Sequence, residues 1–157
     1  MVDPEEEFFV EEIAKLSADV REKGLSLIVF ADWYNGNAIN AVSFFDENTQ
    51  RTWVPHTGGA NVPALNDLLY PFGIAFGDRV YKGRFRLGGS SSYYASGSSI
   101  VRFPAGGYLA SVPLFDATPE RGGGGAGGAQ GVGALPLPSA SSRRHKSKTM
   151  QPVLGAY

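Results

Sequence analysis

The chain has 157 residues, of which 43% are hydrophobic, 12% aromatic and 18% charged. The formal net charge of −1 argues against a protein that coats nucleic acid, because such proteins carry a strong basic excess. There are no cysteines, which excludes a disulfide scaffold, a thiolate zinc site and a cysteine nucleophile. Glycine is unusually frequent, with 21 residues against an ordinary usage of ~7%.

The first predicted element is a helix over residues 4–23, in one or two pieces. Asp3 is a good N-cap and Pro4 is tolerated at the first helical position. Gly24 ends the helix in the place that a left-handed cap favours. The apolar residues of this segment are spaced by four, three and four positions, which places them on one face of a helix. They are Phe9, Ile13, Leu16 and Val20.

A short apolar run over residues 25–30 predicts a strand that is covered on both faces. Helix followed by such a strand is the rhythm of an α/β protein. Asp32 and Trp33 follow the predicted strand, at the edge where open parallel sheets gather ligands and catalytic groups. Residues 35–37, Asn-Gly-Asn, predict a turn.

The middle of the chain predicts short strands and one clear helix. An apolar segment over residues 42–45 precedes a polar turn over residues 46–49. A glycine-rich turn over residues 57–61 then opens a helix with Pro63 near its first position, and the buried stripe of that helix is Leu65, Leu68 and Leu69. Further strands are expected at residues 74–77, 80–87, 99–103 and 108–114, with a loop at 88–92.

Low-complexity sequence fills residues 117–151, where eight glycines are followed by a stretch of Leu, Pro, Ala and Ser. A segment without apolar periodicity cannot offset its ordering entropy, so we expect it to be a disordered Gly/Pro/Ser-rich insert. Its basic cluster at residues 143–148 is expected to be a solvated charge run, with an anionic surface or nuclear-import patch as the alternative. The predicted division is a partial α/β domain at 1–116, this insert at 117–151 and the start of a terminal strand at 152–157.

The glycine-rich turn is the candidate for ligand binding. Backbone N–H groups of Gly58, Gly59, Ala60 and Asn61 stand before a helix, where an anion is stabilised by the helix dipole. The turn has neither the Gly-Lys-Ser/Thr of a phosphate-binding loop nor the third glycine of a dinucleotide fingerprint, so a structural tight turn is favoured. No acidic spacing matches a metal loop, and we expect no cofactor.

A serine hydrolase triad would have to combine Asp32, His56 and Ser98. No Gly-x-Ser-x-Gly elbow presents the serine, because the sequence around Ser98 lacks the first glycine. We therefore assign no catalytic residue, while keeping an independent hydrolase as an alternative.

Several uncommon blocks resemble the site-1 protease family of subtilisin-like serine endopeptidases. They include Met-Val-Asp-Pro-Glu-Glu-Glu-Phe-Phe at the start, Leu-Ile-Val-Phe-Ala-Asp-Trp-Tyr-Asn at 27–35, Thr-Gly-Gly-Ala-Asn-Val-Pro-Ala-Leu-Asn at 57–66, and Pro-Val-Leu-Gly-Ala-Tyr at 152–157. The blocks run in the family's order over the expected ordered part.

The resemblance implies a non-catalytic region beyond the protease domain, with an incomplete, three-layer, amidotransferase-like or Rossmann-like mixed sheet. Its implied partners are the subtilase catalytic domain of the same protein and membrane-anchored substrates, not nucleic acid. The parent is expected in the lumen of the endoplasmic reticulum and Golgi, held by a membrane anchor. The acidic start of this chain is not a signal peptide, and no run approaches the ~20 apolar residues of a membrane span.

Two departures from the family bear on function. The family has Asp at the place of His56 and Cys at the place of Ser98, so the resemblance supports no catalytic role for His56 and no disulfide. The family's region also extends beyond both ends of this chain, so we expect a fragment that is inactive alone. A stand-alone α/β module that binds an anion at residues 58–61 is the alternative.

Overall fold

The structure is a computed structural model that describes residues 4, 6–119 and 147–157. Helices and strands are both present, which confirms the predicted α/β composition at that level. The helices, with the 3₁₀ turn that follows the third, are α1 (Val10–Lys23), α2 (Gly36–Ala41), α3 (Val62–Leu69) and Tyr70–Phe72. The strands are β1 (Phe44–Asp46), β2 (Arg51–Trp53), β3 (Ala75–Phe76), β4 (Tyr81–Leu87), β5 (Ser90–Tyr94), β6 (Ile100–Arg102), β7 (Tyr108–Asp116) and β8 (Thr149–Ala156).

All strand pairs in the described residues are antiparallel. β1 pairs with β2, and β3 pairs with β6, each as a two-stranded unit. The remaining strands form one four-stranded sheet in the order β5-β4-β7-β8. The four-stranded sheet is therefore the largest sheet of the described part of the chain.

Helix α1 begins at Val10, so the predicted start at residue 4 is wrong, and Asp3 lies outside the described residues. The carboxylate of Glu12 accepts a hydrogen bond of 2.9 Å from the backbone N–H of Phe9. An acid three residues into a helix satisfies a donor at its start in this way, which explains the later beginning. The predicted end is confirmed, because Gly24 is left-handed with φ 71°.

The predicted strand at residues 25–30 is not a strand in the structure. Three of its apolar side chains are largely uncovered, since Leu25 is 44%, Ile28 66% and Phe30 62% exposed, while Leu27 and Val29 are half-buried. A strand is defined by its ladder to a neighbouring strand, and these residues do not join any of the described ladders. The predicted turn at residues 35–37 is also wrong, because it falls at the start of helix α2.

The core of the four-stranded sheet lies on one of its faces. Tyr81, Val112 and Leu114 are buried there. Partly buried apolar side chains extend this cluster, namely Phe85, Tyr94 and Val153. Gly83 of β4 lies on the same face and has a φ of 155°. A Cβ atom at this position would lie 3.3 Å from the Leu114 side chain. Glycine at this position therefore allows β4 and β7 to approach closely.

The predicted loop at residues 88–92 is too long, because only residues 88–89 connect β4 to β5. Gly88 and Gly89 both have positive φ and form the two-residue connection, which glycine adopts at no steric cost. Residues 90–92 are therefore strand. At the other edge of the sheet, β8 begins at Thr149, three residues before the predicted terminal strand at 152. Most of the predicted insert lies outside the described residues, so the division into domains stays a prediction.

Helix α3 confirms the sequence prediction closely. The side chain of Asn61 accepts from the backbone N–H of Ala64, and Pro63 occupies the first turn. Leu65 and Leu68 are fully buried. The side chain of Asn66 both donates to the carbonyl of Phe76 at 3.1 Å and accepts from its N–H at 2.8 Å, which fixes α3 against β3.

Candidate functional site at Asp32

Three distant segments meet around Asp32, and we call this meeting point, residues 32–33, 58–60 and 96–98, the Asp32 junction. One carboxylate oxygen of Asp32 accepts from the backbone N–H of Trp33 at 2.9 Å and from the Ser96 hydroxyl at 3.3 Å. Loss of water around the carboxyl raises the pKa of Asp32, while these two hydrogen bonds oppose the shift. The junction thus holds a partly desolvated carboxyl group between two loops.

The glycine-rich turn packs directly against Asp32 and Trp33. The carbonyl of Trp33 accepts from the N–H of Gly59 at 2.8 Å and from that of Ala60 at 3.2 Å. A Cβ atom on Gly58 would lie 2.7 Å from the Trp33 carbonyl oxygen, and one on Gly59 would lie 2.6 Å from the Asp32 carboxyl carbon. A side chain at position 58 would clash with the backbone of Trp33, and one at position 59 would force the Asp32 side chain to move.

Two of the four candidate donors, the N–H groups of Gly59 and Ala60, already bond to an oxygen of the chain itself. Besides the two N–H groups that bond to Trp33, the N–H of Val62 donates to the carbonyl of Ala60 at 2.9 Å. This contact spans Asn61, whose φ of −78° and ψ of 70° match an inverse γ-turn. Anion binding at residues 58–61 is not tested and stays a prediction, but these hydrogen bonds and the neighbouring carboxylate favour the structural role.

The third segment closes the junction from the other side. The backbone N–H of Ser98 donates to the carbonyl of Asp32 at 3.3 Å, and the Ser98 hydroxyl donates to the carbonyl of Gly77. The hydroxyl of Tyr94 donates to the carbonyl of Ser98 at 2.7 Å. Burial raises the pKa of Tyr94, and the charge of Asp32 adds to that shift. Tyr94 therefore acts as a neutral donor that locks this loop to the sheet.

The three residues of the alternative triad are not arranged as one. Ser98 is buried with its hydroxyl donated to a backbone carbonyl, whereas His56 is exposed. Within the part of the chain that the structure describes, no hydrogen bond joins His56 to Asp32 or to Ser98. A base must reach its nucleophile for such catalysis, and here the serine proton is held elsewhere.

Asn35 supports the junction from the next element. Its side-chain oxygen accepts from the N–H of Ala38 at 2.9 Å and so caps helix α2, while its amide donates to the carbonyl of Asp78 at 2.7 Å. Sequence reasoning singled out Asp32, Ser98 and the glycines but missed this asparagine and Ser96. An Asn directly before a short segment with apolar residues is an N-cap signal that could have identified Asn35.

In residues 4, 6–119 and 147–157, no group of three or more His, Cys, Asp or Glu side chains is placed to hold a metal ion. Over the same residues, no helix has both the length and the apolar character that crossing a membrane requires. The junction joins the segment after α1 to α3 and to the sheet through the backbone carbonyls of Trp33, which accepts two donors, and of Asp32 and Ser98, which accept one each.

Comparison with known proteins identifies the region. The family model described as MBTPS1, fourth GATase-like domain, matches residues 1–133. The subtilisin-like protease SBT6.1 of Arabidopsis thaliana is 56% identical over 118 residues, which is 75% of this chain and 11% of that protein. Membrane-bound transcription factor site-1 protease is 58% identical over 116 residues in Rattus norvegicus and 55% identical in Homo sapiens, in each case over 74% of this chain.

The matches show where this chain belongs within a much longer protein. The chain spans about a tenth of the length of these curated relatives, since 11% of each is covered. The matched part is the GATase-like domain, an accessory domain of a subtilase. The chain belongs to the family of the fourth GATase-like domain of MBTPS1.

Proposed function

We propose that this chain serves as the accessory domain of a site-1-protease-like subtilase and packs against the catalytic domain of the same protein. In this proposal the parent is a serine endopeptidase that processes membrane-bound transcription factor precursors in the secretory pathway. The domain supplies no catalytic residue and has no peptidase activity alone. The names of the relatives and the absence of a connected triad in the described residues support this reading.

The observation that carries the proposal is a set of uncovered apolar side chains before residue 55. Phe30 is 62%, Phe44 61% and Trp53 54% exposed. Residues of this kind normally lie inside a protein, and large exposed apolar patches mark interaction sites. We use the name apolar N-terminal surface for the set Leu25, Phe30, Phe44, Phe45, Trp53 and Val54, whose members lie on more than one face. Each of its members is at least two-fifths exposed.

The hairpin of β1 and β2 contributes the aromatic side chains of Phe44, Phe45 and Trp53 to this surface. Phe44 faces Trp53 across the pair, while Phe45 lies on the opposite side, facing Thr52. Both faces of the hairpin therefore expose an aromatic ring. An isolated two-stranded hairpin is marginally stable in water, so the hairpin is expected to gain stability when a partner covers it.

The proposal also accounts for the uncovered segment at residues 25–30. In the parent we propose that these residues form a strand of the three-layer, Rossmann-like sheet that the family resemblance implies. Pairing would then come from polypeptide outside this chain. We further propose that the parent resides in the lumen of the endoplasmic reticulum and Golgi, where membrane-anchored substrates would meet it.

A binding experiment tests the proposal. The 157-residue chain is mixed with the separately produced catalytic domain of the rat relative, and complex formation is measured by size-exclusion chromatography and calorimetry. We expect a one-to-one complex that the variants Phe30→Asp and Phe44→Asp weaken by at least about tenfold, because each buries a charge in an apolar contact. Peptidase activity should remain absent in the chain alone.

The matched control is Tyr108→Asp, which alters a side chain 64% exposed at the start of β7. This variant should bind as the unmodified chain does. A complex that fails to form, or one weakened equally by Tyr108→Asp, would contradict the proposed packing. Peptide cleavage by the purified chain that disappears with His56→Ala would instead support an independent hydrolase.

A further inference from the structure

The outer face of the four-stranded sheet carries positive charge. Alternation along β4 places Lys82, Arg84 and Arg86 on the side opposite the buried ring of Tyr81. Lys148, which directly precedes β8, approaches the same place, with its ammonium donating to the carbonyl of Arg84 at 3.5 Å. We call Lys82, Arg84, Arg86 and Lys148 the basic face.

No acidic side chain shares this face within the four strands. Asp116 is their one acidic residue, and it lies opposite Tyr81 in the register, on the buried side. Its carboxylate binds the guanidinium of Arg79 at 2.5 Å. Protein surfaces usually mix the two signs of charge, and a field of one sign attracts a partner of the opposite sign.

Aromatic rings hold two of the cations in place. The guanidinium carbon of Arg84 lies 5.7 Å from the centre of the Tyr93 ring, its neighbour across β4 and β5. The ammonium of Lys148 lies 5.2 Å from the centre of the Phe115 ring. Such contacts restrict the flexible side chains before a ligand arrives, which lowers the entropy lost on binding.

The composition of the face favours a polypeptide as its ligand. Besides the cations it presents Tyr93, which is 59% exposed, and Met150 at 62%, which lies on β8 opposite Pro113. Arginine, aromatic residues and methionine are enriched at protein interfaces. A bare phosphate or sulfate polymer would leave these apolar groups without contacts. A polypeptide with both acidic and apolar side chains would cover both.

We propose that the basic face binds an acidic segment of a partner protein in extended conformation. Successive cations on β4 are two residues apart, about 7 Å along a strand, which equals the spacing of alternate residues in an extended peptide. A peptide with Asp or Glu at every second position therefore matches the row formed by Lys82, Arg84 and Arg86. This surface is separate from the apolar N-terminal surface and does not depend on the role proposed for that surface.

The test uses the full 157-residue chain and a synthetic peptide of about 12 residues in which Glu alternates with Leu or Ser. Fluorescence anisotropy of the labelled peptide measures the dissociation constant at low and high salt. The double variant Arg84→Gln/Arg86→Gln should bind about fivefold more weakly, a factor that two exposed ion pairs supply together. Added salt should weaken binding by the unmodified chain more than binding by the variant.

Two control variants and one competing ligand decide the outcome. Arg51→Gln removes an exposed strand arginine on the β1–β2 hairpin and should leave binding unchanged. Arg143→Gln/Arg144→Gln removes the two arginines of the predicted basic cluster, keeps Lys148 of the basic face, and should also leave binding unchanged. An equal loss with either control, an absence of peptide binding, or binding of heparin in preference to the peptide would overturn the proposal.

Discussion

The two halves of the chain differ in how many apolar side chains they bury. Among the described residues up to position 54, only Ala38 and Ile39 belong to the buried apolar core. From Ala60 onward, α3 and the four-stranded sheet supply most of the buried apolar core, and Leu65, Leu68 and Leu114 are fully covered. The second half thus contains most of the buried apolar core, whereas the proposed function assigns the exposed apolar side chains of the first half to contact with a partner.

Local contacts reinforce the difference. Helix α1 buries no residue other than Ser17, and Arg21 holds it to the 3₁₀ turn through the carbonyl of Pro71 and the ring of Phe72. The Asp32 junction is the exception in the first half, because several hydrogen bonds tie residues 32–33 to two segments of the second half. Apolar burial supplies most folding stability, so the second half should resist unfolding more strongly.

The largest expected effect comes from truncating the core of the second half. Leu65→Ala should lower the free energy of unfolding by about 2–5 kcal/mol, because it removes buried methyl groups and leaves a cavity. The matched change Phe44→Ala in the first half should cost less than about 1 kcal/mol, because its ring is 61% exposed. Urea unfolding followed by circular dichroism measures both, and similar losses would break the comparison.

A smaller effect is expected at the glycine-rich turn. Gly59→Ala places a methyl group against the Asp32 carboxyl and should cost about 1–3 kcal/mol through the forced shift of the loop. Gly36→Ala is the control, since it meets nothing within 4 Å at the start of helix α2 and should be neutral or slightly stabilising. Thermal unfolding compares the two variants. Equal melting temperatures would show that the Asp32 junction does not constrain the chain.

Loss of the helix cap at Asn35 should lower the stability of the chain by as much as Gly59→Ala or less. Asn35→Ala removes the cap of α2 and the hydrogen bond to Asp78, with an expected cost of about 1–2 kcal/mol. Asn40→Ala, at an exposed position of the same helix, should change stability by less than about 0.5 kcal/mol. Denaturant midpoints that coincide for the two variants would contradict the role assigned to Asn35.

The smallest effects concern pH, and the two halves should respond with opposite signs. Burial opposes ionisation of Asp116, but hydrogen bonds from Thr118 and Arg79 outweigh it and hold its pKa below the ordinary 3.8. Its stabilising contribution is thus present above that value and is lost as pH falls through the lowered pKa. Asp116→Asn should therefore destabilise the chain at neutral pH by less than about 1 kcal/mol, with no difference in strong acid.

Asp32 should behave in the reverse sense. Desolvation raises its pKa above 3.8, so its contribution is fully present below 3.8 and is lost as pH rises through the raised value. Asp32→Asn should consequently be more stable than the unmodified chain at neutral pH and indistinguishable from it in acid. Melting temperatures recorded from about pH 3 to pH 8 measure both variants. Parallel curves for Asp32→Asn and Asp116→Asn would contradict the assigned environments.

Sequence patterns predict an element correctly where the residues of that element themselves determine its start, its end and its buried face. Asn61, Pro63 and the leucine stripe of α3 carry their own start signal and burial pattern, and Gly24 carries the stop signal of α1. Residues 25–30 were misassigned because an apolar run indicates a strand but does not provide the neighbour that completes it.

Sequence patterns also fail where polar residues form a strand, and where a backbone carbonyl is the hydrogen-bond acceptor. Ser90, Ser91 and Ser92 lack the apolar alternation that identifies a strand, although the preceding pair of glycines is a hairpin signal. At the Asp32 junction, the carbonyl of Trp33 is the principal acceptor. A backbone atom has no residue type, so its role could not be read from composition or spacing, whereas Asp32 itself was singled out.

Hydrogen exchange of the backbone amides tests the central claim most directly. In the 157-residue chain alone, the β1–β2 hairpin should exchange rapidly, while β4 and β7 remain protected. Adding the catalytic domain of the rat relative should increase the protection of the hairpin and leave the four-stranded sheet unchanged. Strong protection of the hairpin in the chain alone, or no gain of protection in the presence of the catalytic domain, would contradict the account.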